Sequence, residues 1–210
     1  MKKYLILATT VALLLPISAP VSLAADYLGK VSESVVRLDS PRGPFCSGFV
    51  IKGQRPATIL TALHCIEAGD TYHFDIKIDG NPIRVLQINV AQDLAVIETD
   101  IKRPALKPRK EPITAGMLVT GIGHGNGLLR PVFTQSVVIN TVYNPLNQQY
   151  LLLSKWAFSE GMSGGPVVDT SGKVIGIIQW EFLLTDGTAV DAGTPIDTIL
   201  EITKDYWETK

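Results

Sequence analysis

Three short segments of this 210-residue chain hold side chains that could do chemistry together. Thr61-Ala62-Leu63-His64-Cys65 closes an apolar, strand-like run. Asp93-Leu94-Ala95-Val96-Ile97 sets an acid at the head of another. Gly161-Met162-Ser163-Gly164-Gly165-Pro166 is a glycine-dense turn ahead of Val167-Val168. Each alone has a plain structural explanation as a strand-end histidine, a turn-forming aspartate or a Gly-Ser-Gly turn. Together they hold the parts of nucleophilic catalysis. A serine hydroxyl is a poor nucleophile at neutral pH and needs a base within hydrogen-bond reach. Imidazole, with an ordinary pKa of about 6.5, is matched to that task. A carboxylate on the other ring nitrogen fixes the tautomer and stabilises the imidazolium as it forms. Glycines beside the serine permit a tight turn whose N–H groups converge on the developing oxyanion.

Gly161–Gly165 also fits the Gly-x-Ser-x-Gly nucleophile elbow of the α/β-hydrolases, where the serine comes before the acid and the histidine. Here His64 precedes Asp93, and Asp93 precedes Ser163; His124 also lies before Ser163. Chain order excludes that fold.

The elements that must carry these segments read as β structure. Short apolar or alternating runs rich in Val and Ile predict strands at 35–38, 47–51, 58–62, 72–78, 83–90 and 94–98. A second set falls at 118–122, 132–139, 150–154, 165–168, 174–180 and 188–192. Asp79-Gly80, Ser171-Gly172 and Asp186-Gly187 supply turn dipeptides between them. No window before residue 194 sustains a 3.6-residue period. After it, Ile196, Ile199, Leu200, Tyr206 and Trp207 form a helical stripe, with Thr194 as N-cap and Pro195 in the first turn. Residues 100–112, with three prolines and five Lys or Arg residues, read as an exposed connection. The pattern predicts an all-β fold of two six-stranded antiparallel β-barrels with a C-terminal helix, a single large sandwich being the other arrangement it allows. The expected division is 25–103 for the first barrel, 104–112 for the linker and 113–210 for the second barrel and helix.

Composition narrows the function classes. With 46% hydrophobic and 19% charged residues, the chain holds enough apolar surface to build a core. Nineteen Lys and Arg against 20 Asp and Glu give a net charge of −1, which argues against nucleic acid as a partner. Two cysteines and three histidines make no zinc-binding pattern, so no metal is implied. Gly121-Ile122-Gly123-His124-Gly125-Asn126-Gly127 has no strand–helix setting for a nucleotide loop and reads as a flexible turn; His73 reads as an exposed strand residue. At the N-terminus, Lys2 and Lys3, an apolar run to Leu15, Pro16, Pro20 and Ser22-Leu23-Ala24-Ala25 follow the order of a secretory signal, residues 1–24. The run is too short to span a bilayer, so no membrane span is expected once it is cut. Export predicts a secreted or periplasmic protein in a compartment where a disulfide can persist.

The three segments resemble those of trypsin-like (chymotrypsin-fold) serine proteases, and the resemblance extends over Val31 to Tyr206. Their spacing is similar to that of short bacterial members of the high-temperature-requirement type, without the PDZ module those usually add. The resemblance implies His64 as base, Asp93 as its orienting acid, Ser163 as nucleophile, and the Gly161 and Ser163 N–H groups as the oxyanion hole. It implies a Cys46–Cys65 disulfide beside the base, a protein or peptide substrate, and no cofactor. Met162 stands where digestive members carry an aspartate that receives a new N-terminus, so insertion-type activation is not expected. The substrate pocket would involve Ala157, Phe158, Gln179, Trp180 and Glu181. Ala157 stands where trypsin-type enzymes place an acid, which predicts an apolar pocket. Glu181 would either narrow the mouth or attract a basic side chain, and Gln179 replaces a small residue that supports the acid.

Overall fold

Continuous apolar runs between Val35 and Thr99 become strands buried on both faces. In the computed structural model, which describes residues 21–40, 43–68, 71–72, 75–144, 149–155, 158–183 and 187–207, the first unit holds β1 (Val35–Ser40), β2 (Gly43–Lys52), β3 (Ala57–Ala62), the small hairpin β4 (Glu67–Ala68) and β5 (Thr71–Tyr72), β6 (Lys77–Ile78), β7 (Asn81–Asn89) and β8 (Leu94–Thr99). All but the hairpin close a barrel in the order β1-β2-β3-β8-β7-β6. Successive side chains on a strand point to opposite faces. Val50, Ile59, Ala95 and Ile97 accordingly fill the barrel interior cluster. Phe49, Leu60, Leu94 and Val96 turn the other way, into a cluster shared with Ile122, Val168, Val174 and Ile177 of the second unit. Two-faced burial therefore explains why these strands lack polar alternation.

The second unit is a seven-stranded sheet of β9 (Leu118–Gly123), β10 (Val132–Asn144), β11 (Gln149–Lys155), β12 (Pro166–Asp169), β13 (Val174–Ile177), β14 (Trp180–Leu183) and β15 (Ala189–Gly193). Its order is β13-β12-β9-β10-β11-β15-β14. The two edge strands are consecutive in the chain, joined only by Ile178 and Gln179. A link of that length spans less than about 11 Å, so the sheet curls until its edges nearly meet. The single strand expected over 174–180 is interrupted there because its partners change. Ile178 N–H donates to Gly165 (2.9 Å), the Ile178 carbonyl accepts from Gly164 (2.7 Å), and Gln179 N–H donates to Ala192 (3.2 Å). The expected strand over 72–78 reduces to its two ends, and His73 lies outside the described residues.

Among the described residues, two α-helices flank the sheets. α1 (Val21–Ser32) corrects the expectation of no helix before residue 194. Tyr27, Leu28 and Val31 sit at helical spacing and join the shared cluster, a stripe too short to register in a periodicity window. The helix runs through the expected cut after Ala24; residues 1–20 lie outside the described residues. α2 (Ile196–Thr203) buries Ile196 and Ile199 as expected and Thr203 in addition, but Pro195, not Thr194, is its N-cap. No helix among the described residues is long and apolar enough to cross a membrane.

The segment 104–112 is docked rather than loose. Leu106 N–H donates to Val50 (2.9 Å) of the first unit, and Arg109 N–H to Val174 (2.8 Å) of the second. The Arg109 guanidinium meets the buried Asp169 carboxylate at 2.6 Å. Burial by itself would raise the pKa of Asp169. Bonds from the Ser171 hydroxyl, Arg109 and the N–H groups of Lys173 and Ser171 outweigh it and hold the carboxyl below its ordinary value. A carboxyl depressed in the folded state stabilises the fold above its ordinary pKa, and that contribution fades as pH falls through the depressed value. Arg109→Ala leaves a buried charge short of its cation and is expected to destabilise the fold by about 3 kcal/mol at pH 7. Urea titration measures this, and the deficit shrinks once Asp169 is protonated.

Candidate active site

His64 sits in a one-turn 3-10 segment, Leu63–Cys65, where β3 ends. Asp93 stands just before β8, the strand paired with β3, and this pairing brings a residue 29 positions away to the same turn. Asp93 Oδ1 accepts the His64 backbone N–H (2.8 Å), and Oδ2 lies 2.7 Å from His64 Nδ1. The Asp93 carbonyl also accepts Leu63 N–H (2.9 Å). Both carboxylate oxygens are thus committed to the histidine, which fixes the ring with Nδ1 toward the acid and Nε2 away from it. Asp93 adopts φ +50°, a left-handed conformation that aspartate enters more readily than most residues. The imidazole stays half-exposed while the carboxylate is mostly covered.

The Cys46–Cys65 disulfide, implied above by resemblance, is formed, with Cα atoms 5.6 Å apart. It anchors the histidine turn to β2. The two sulfurs and a ring nitrogen of His64 are the one group of metal-ligand types close together among the described residues. Disulfide sulfurs are not thiolates and do not make a zinc site.

Ser163 reaches this turn from the second unit. Its carbonyl accepts Ser47 N–H (2.7 Å) and lies 3.6 Å from the Cys65 sulfur. The next residue, Gly164, has φ +82°, and a Cβ there would collide with the Ser47 carbonyl oxygen and the Thr61 hydroxyl. Only glycine lets the nucleophile turn press this closely on the barrel that carries His64. No hydrogen bond joins the Ser163 hydroxyl to His64 in this structure; such bonds commonly tighten only when substrate is bound.

The rest of the turn is held by groups the sequence analysis did not select. The Gly161 carbonyl accepts the Ser47 hydroxyl (2.9 Å), which in turn accepts His124 N–H (2.8 Å). The Glu160 carbonyl accepts Asn126 N–H (2.7 Å), and Met162 N–H donates to Ser159 (3.1 Å). After these bonds the N–H groups of Gly161 and Ser163 have no acceptor among the described residues. They are the two donors expected for an oxyanion. The segment 121–127 is therefore a buttress, correcting the flexible turn expected of it. His124 is buried, its Nδ1 at 2.9 Å from the Leu128 carbonyl. Burial, the largest influence, holds its pKa below the ordinary histidine range and keeps the ring neutral. Ser47→Ala orphans the Gly161 carbonyl and His124 N–H together; we expect a loss of about 2 kcal/mol in stability and a matching fall in kcat/KM, read by denaturation and steady-state kinetics.

Gln179 borders the pocket, as expected, and its amide also ties the two units together. Its Nε2 donates to the carbonyls of Gln92 (2.8 Å) and Asp93 (2.6 Å). Its Oε1 accepts the N–H (2.7 Å) and hydroxyl (2.9 Å) of Thr194. The amide thus crosses from the second unit to the backbone of the Asp93 loop, and Thr194 is used here instead of as a helix cap. Because a smaller residue could not reach both carbonyls, Gln179→Ala is expected to lower Tm and kcat together. Differential scanning calorimetry with initial-rate assays checks it.

Beside Ser163 lies a cavity of about 230 Å³ bordered by Phe158, Ile178, Gln179 and Trp180. Glu160, Glu181 and Asp191 border it too, the last a residue not selected from sequence although it is the one charge in the run Ala189–Gly193. This lining departs from the apolar slot expected from Ala157 and Phe158; Ala157 lies outside the described residues.

The profile of the trypsin-like peptidase domain matches residues 46–177, which hold all three segments. The chain belongs to the trypsin-like peptidase family. No curated protein matches it in sequence. Among solved structures, this trypsin-like domain is similar to an HtrA-type protease, AlgW, with a decapeptide (TM-score 0.70, 20% identity, covering 87% of this chain and 67% of that one). It is similar to a serine endoprotease from Yersinia pestis (0.69, 19%, 87% and 66%) and to the Rv3671c protease in its inactive form (0.67, 19%, 90% and 96%). At these identities the likeness is one of fold. The chain spans about two thirds of the length of the first two.

Proposed function

We propose that this protein is an exported serine endopeptidase that hydrolyses peptide bonds through an acyl-enzyme. The observation that carries the reading is the His64–Asp93 pair with both carboxylate oxygens engaged, set beside a turn that carries Ser163 and leaves the Gly161 and Ser163 N–H groups uncommitted. In this mechanism His64 Nε2 removes the Ser163 proton as Oγ attacks the peptide carbonyl. Asp93 holds the proton on Nδ1 and stabilises the imidazolium. The Gly161 and Ser163 N–H groups receive the oxyanion, each such donor contributing roughly 3 kcal/mol to barrier lowering. The imidazolium then protonates the leaving amine, and water, activated by the same base, releases the acyl group. The peptide bound to the AlgW structure and the trypsin-like family profile support a peptide substrate. The basic start, short apolar run and small residues of 1–24, with the Cys46–Cys65 disulfide, support export to a periplasm or the medium.

The test is a fluorophosphonate probe applied to purified mature protein, with the adduct located by mass spectrometry and casein hydrolysis followed in parallel. Labelling at Ser163 with turnover is the expected result. Absence of both would leave a binding module on a protease scaffold.

A further inference from the structure

We propose that His124 is a positioning residue of the oxyanion turn that serves only as the neutral imidazole, so that a proton taken up by Nε2 releases the Gly161 N–H from its productive direction and shuts the enzyme off reversibly in acid. This rests on the protease reading above and adds a means of regulation to the same site.

The peptide bond before Gly161 is where this control is exerted. It is trans, so the Glu160 carbonyl and the Gly161 N–H point in opposite directions on one rigid plane. The Asn126 N–H, which donates to the Glu160 carbonyl at 2.7 Å, therefore also sets the direction of the Gly161 N–H. His124 holds Asn126 in turn. Its ring Nδ1 lies 2.9 Å from the Leu128 carbonyl, and its own carbonyl accepts Gly127 N–H (3.1 Å). Ring and backbone together close a turn around Asn126, which takes a left-handed φ of +53°. A Cβ on Gly161 would stand 2.8 Å from the His124 carbonyl oxygen, so the two segments meet backbone to backbone. From the first unit, the Arg37 guanidinium donates to the Gly127 carbonyl (3.2 Å).

The surroundings of the ring suit only its neutral form. A carbonyl accepts and never donates, so Nδ1 carries the proton and Nε2 presents a lone pair. His124 is 4% exposed, and its Nε2 has no hydrogen-bond partner among the described residues. A proton arriving there would create a buried charge and an N–H without an acceptor, and both are costly. Burial is the largest influence against that proton, and the Arg37 and Arg103 charges add to it. The Leu128 carbonyl and Asp39 favour it, but Asp39 is already committed to Arg37 at 2.6 Å. Glu160 on the nucleophile turn and Arg130 on the following loop are exposed to solvent, which screens them. Swinging the ring into water relieves these costs. The same movement gives up the Leu128 bond, opens the turn around Asn126 and frees the 160–161 peptide to rotate. Losing one oxyanion donor lowers kcat by roughly 10²–10³-fold.

The experiment follows hydrolysis of fluorescently labelled casein by the purified protein from about pH 8 down to about pH 4, with His124→Asn and His124→Phe alongside. Asparagine offers an amide N–H close to the place of Nδ1–H and takes up no proton; phenylalanine fills the space and offers no donor. The parent log kcat/KM should fall with a slope approaching about two, one proton for His64 and one for His124, and that of His124→Asn with a slope of about one. At the alkaline end His124→Phe should lose at least about tenfold in kcat, most of which His124→Asn recovers. Parent activity should return when the pH is raised again, with the far-UV circular dichroism unchanged throughout. NMR of the Ser163→Ala variant reads the coupling without turnover: the Gly161 amide signal should move with the titration of the His124 ring, and the added change His124→Asn should remove that movement. Such coupling in a protein inactive at every pH would sink only the protease reading. A parent slope of about one, a Gly161 amide indifferent to His124, or loss of the folded spectrum in the same acid step overturns the proposal and leaves the protease reading standing.

Discussion

Replacing Ser163 by Ala is expected to abolish fluorophosphonate labelling and to lower kcat for peptide hydrolysis by roughly 10⁴–10⁶-fold. The size follows from what the hydroxyl supplies, since without it no acyl-enzyme forms and only the oxyanion donors and substrate binding remain. Stability should barely move. The Ser163 hydroxyl has no hydrogen-bond partner among the described residues, so its removal leaves nothing orphaned and should change the unfolding free energy by no more than about 0.5 kcal/mol. A fall in kcat with unchanged thermal unfolding separates a chemical role from a structural one. Residual labelling at another residue would instead move the nucleophile elsewhere.

Asp93→Asn is the second large effect, a fall in kcat of roughly 10⁴-fold with the fold retained. Asparagine accepts the left-handed backbone at φ +50° about as readily as aspartate, and its amide oxygen can still take the His64 backbone N–H. The other branch becomes an NH₂ group 2.7 Å from Nδ1, where a hydrogen-bond acceptor stood. That donor forces the imidazole into the tautomer protonated at Nε2, which cannot take the Ser163 proton. Nitrogen chemical shifts of His64 should therefore show the proton on Nδ1 in the parent and on Nε2 in the variant. Retention of more than a tenth of the parent kcat would remove Asp93 from the mechanism.

The legible part of this protein was chemical and periodic. Residue type alone marks imidazole, carboxylate and glycine-flanked hydroxyl, because few other side chains do their work. Chain order alone removes the α/β-hydrolase alternative. Runs such as Thr58–Ala62 and Leu94–Glu98 announce strands because burial on both faces leaves no polar alternation. The short stripe of α1 escaped notice because Tyr27, Leu28 and Val31 fill less than two turns of apolar face.

Other features exist only once the two sheets meet. Ser47 looks like any strand serine until β2 brings its hydroxyl under the Gly161 carbonyl, 114 residues away. Gln179 reads only as a pocket residue until its amide is seen spanning to Gln92 and Asp93 as well, and Asp191 comes to the pocket and to Phe158 N–H only through the packing of β15. Sequence determined which groups are available and which segments are strands, since these depend on side-chain chemistry and local burial. Tertiary structure decided which backbone atoms they hold in place and what charge lines the pocket, since a hydrogen bond or a repulsion depends on distances that chain separation does not encode.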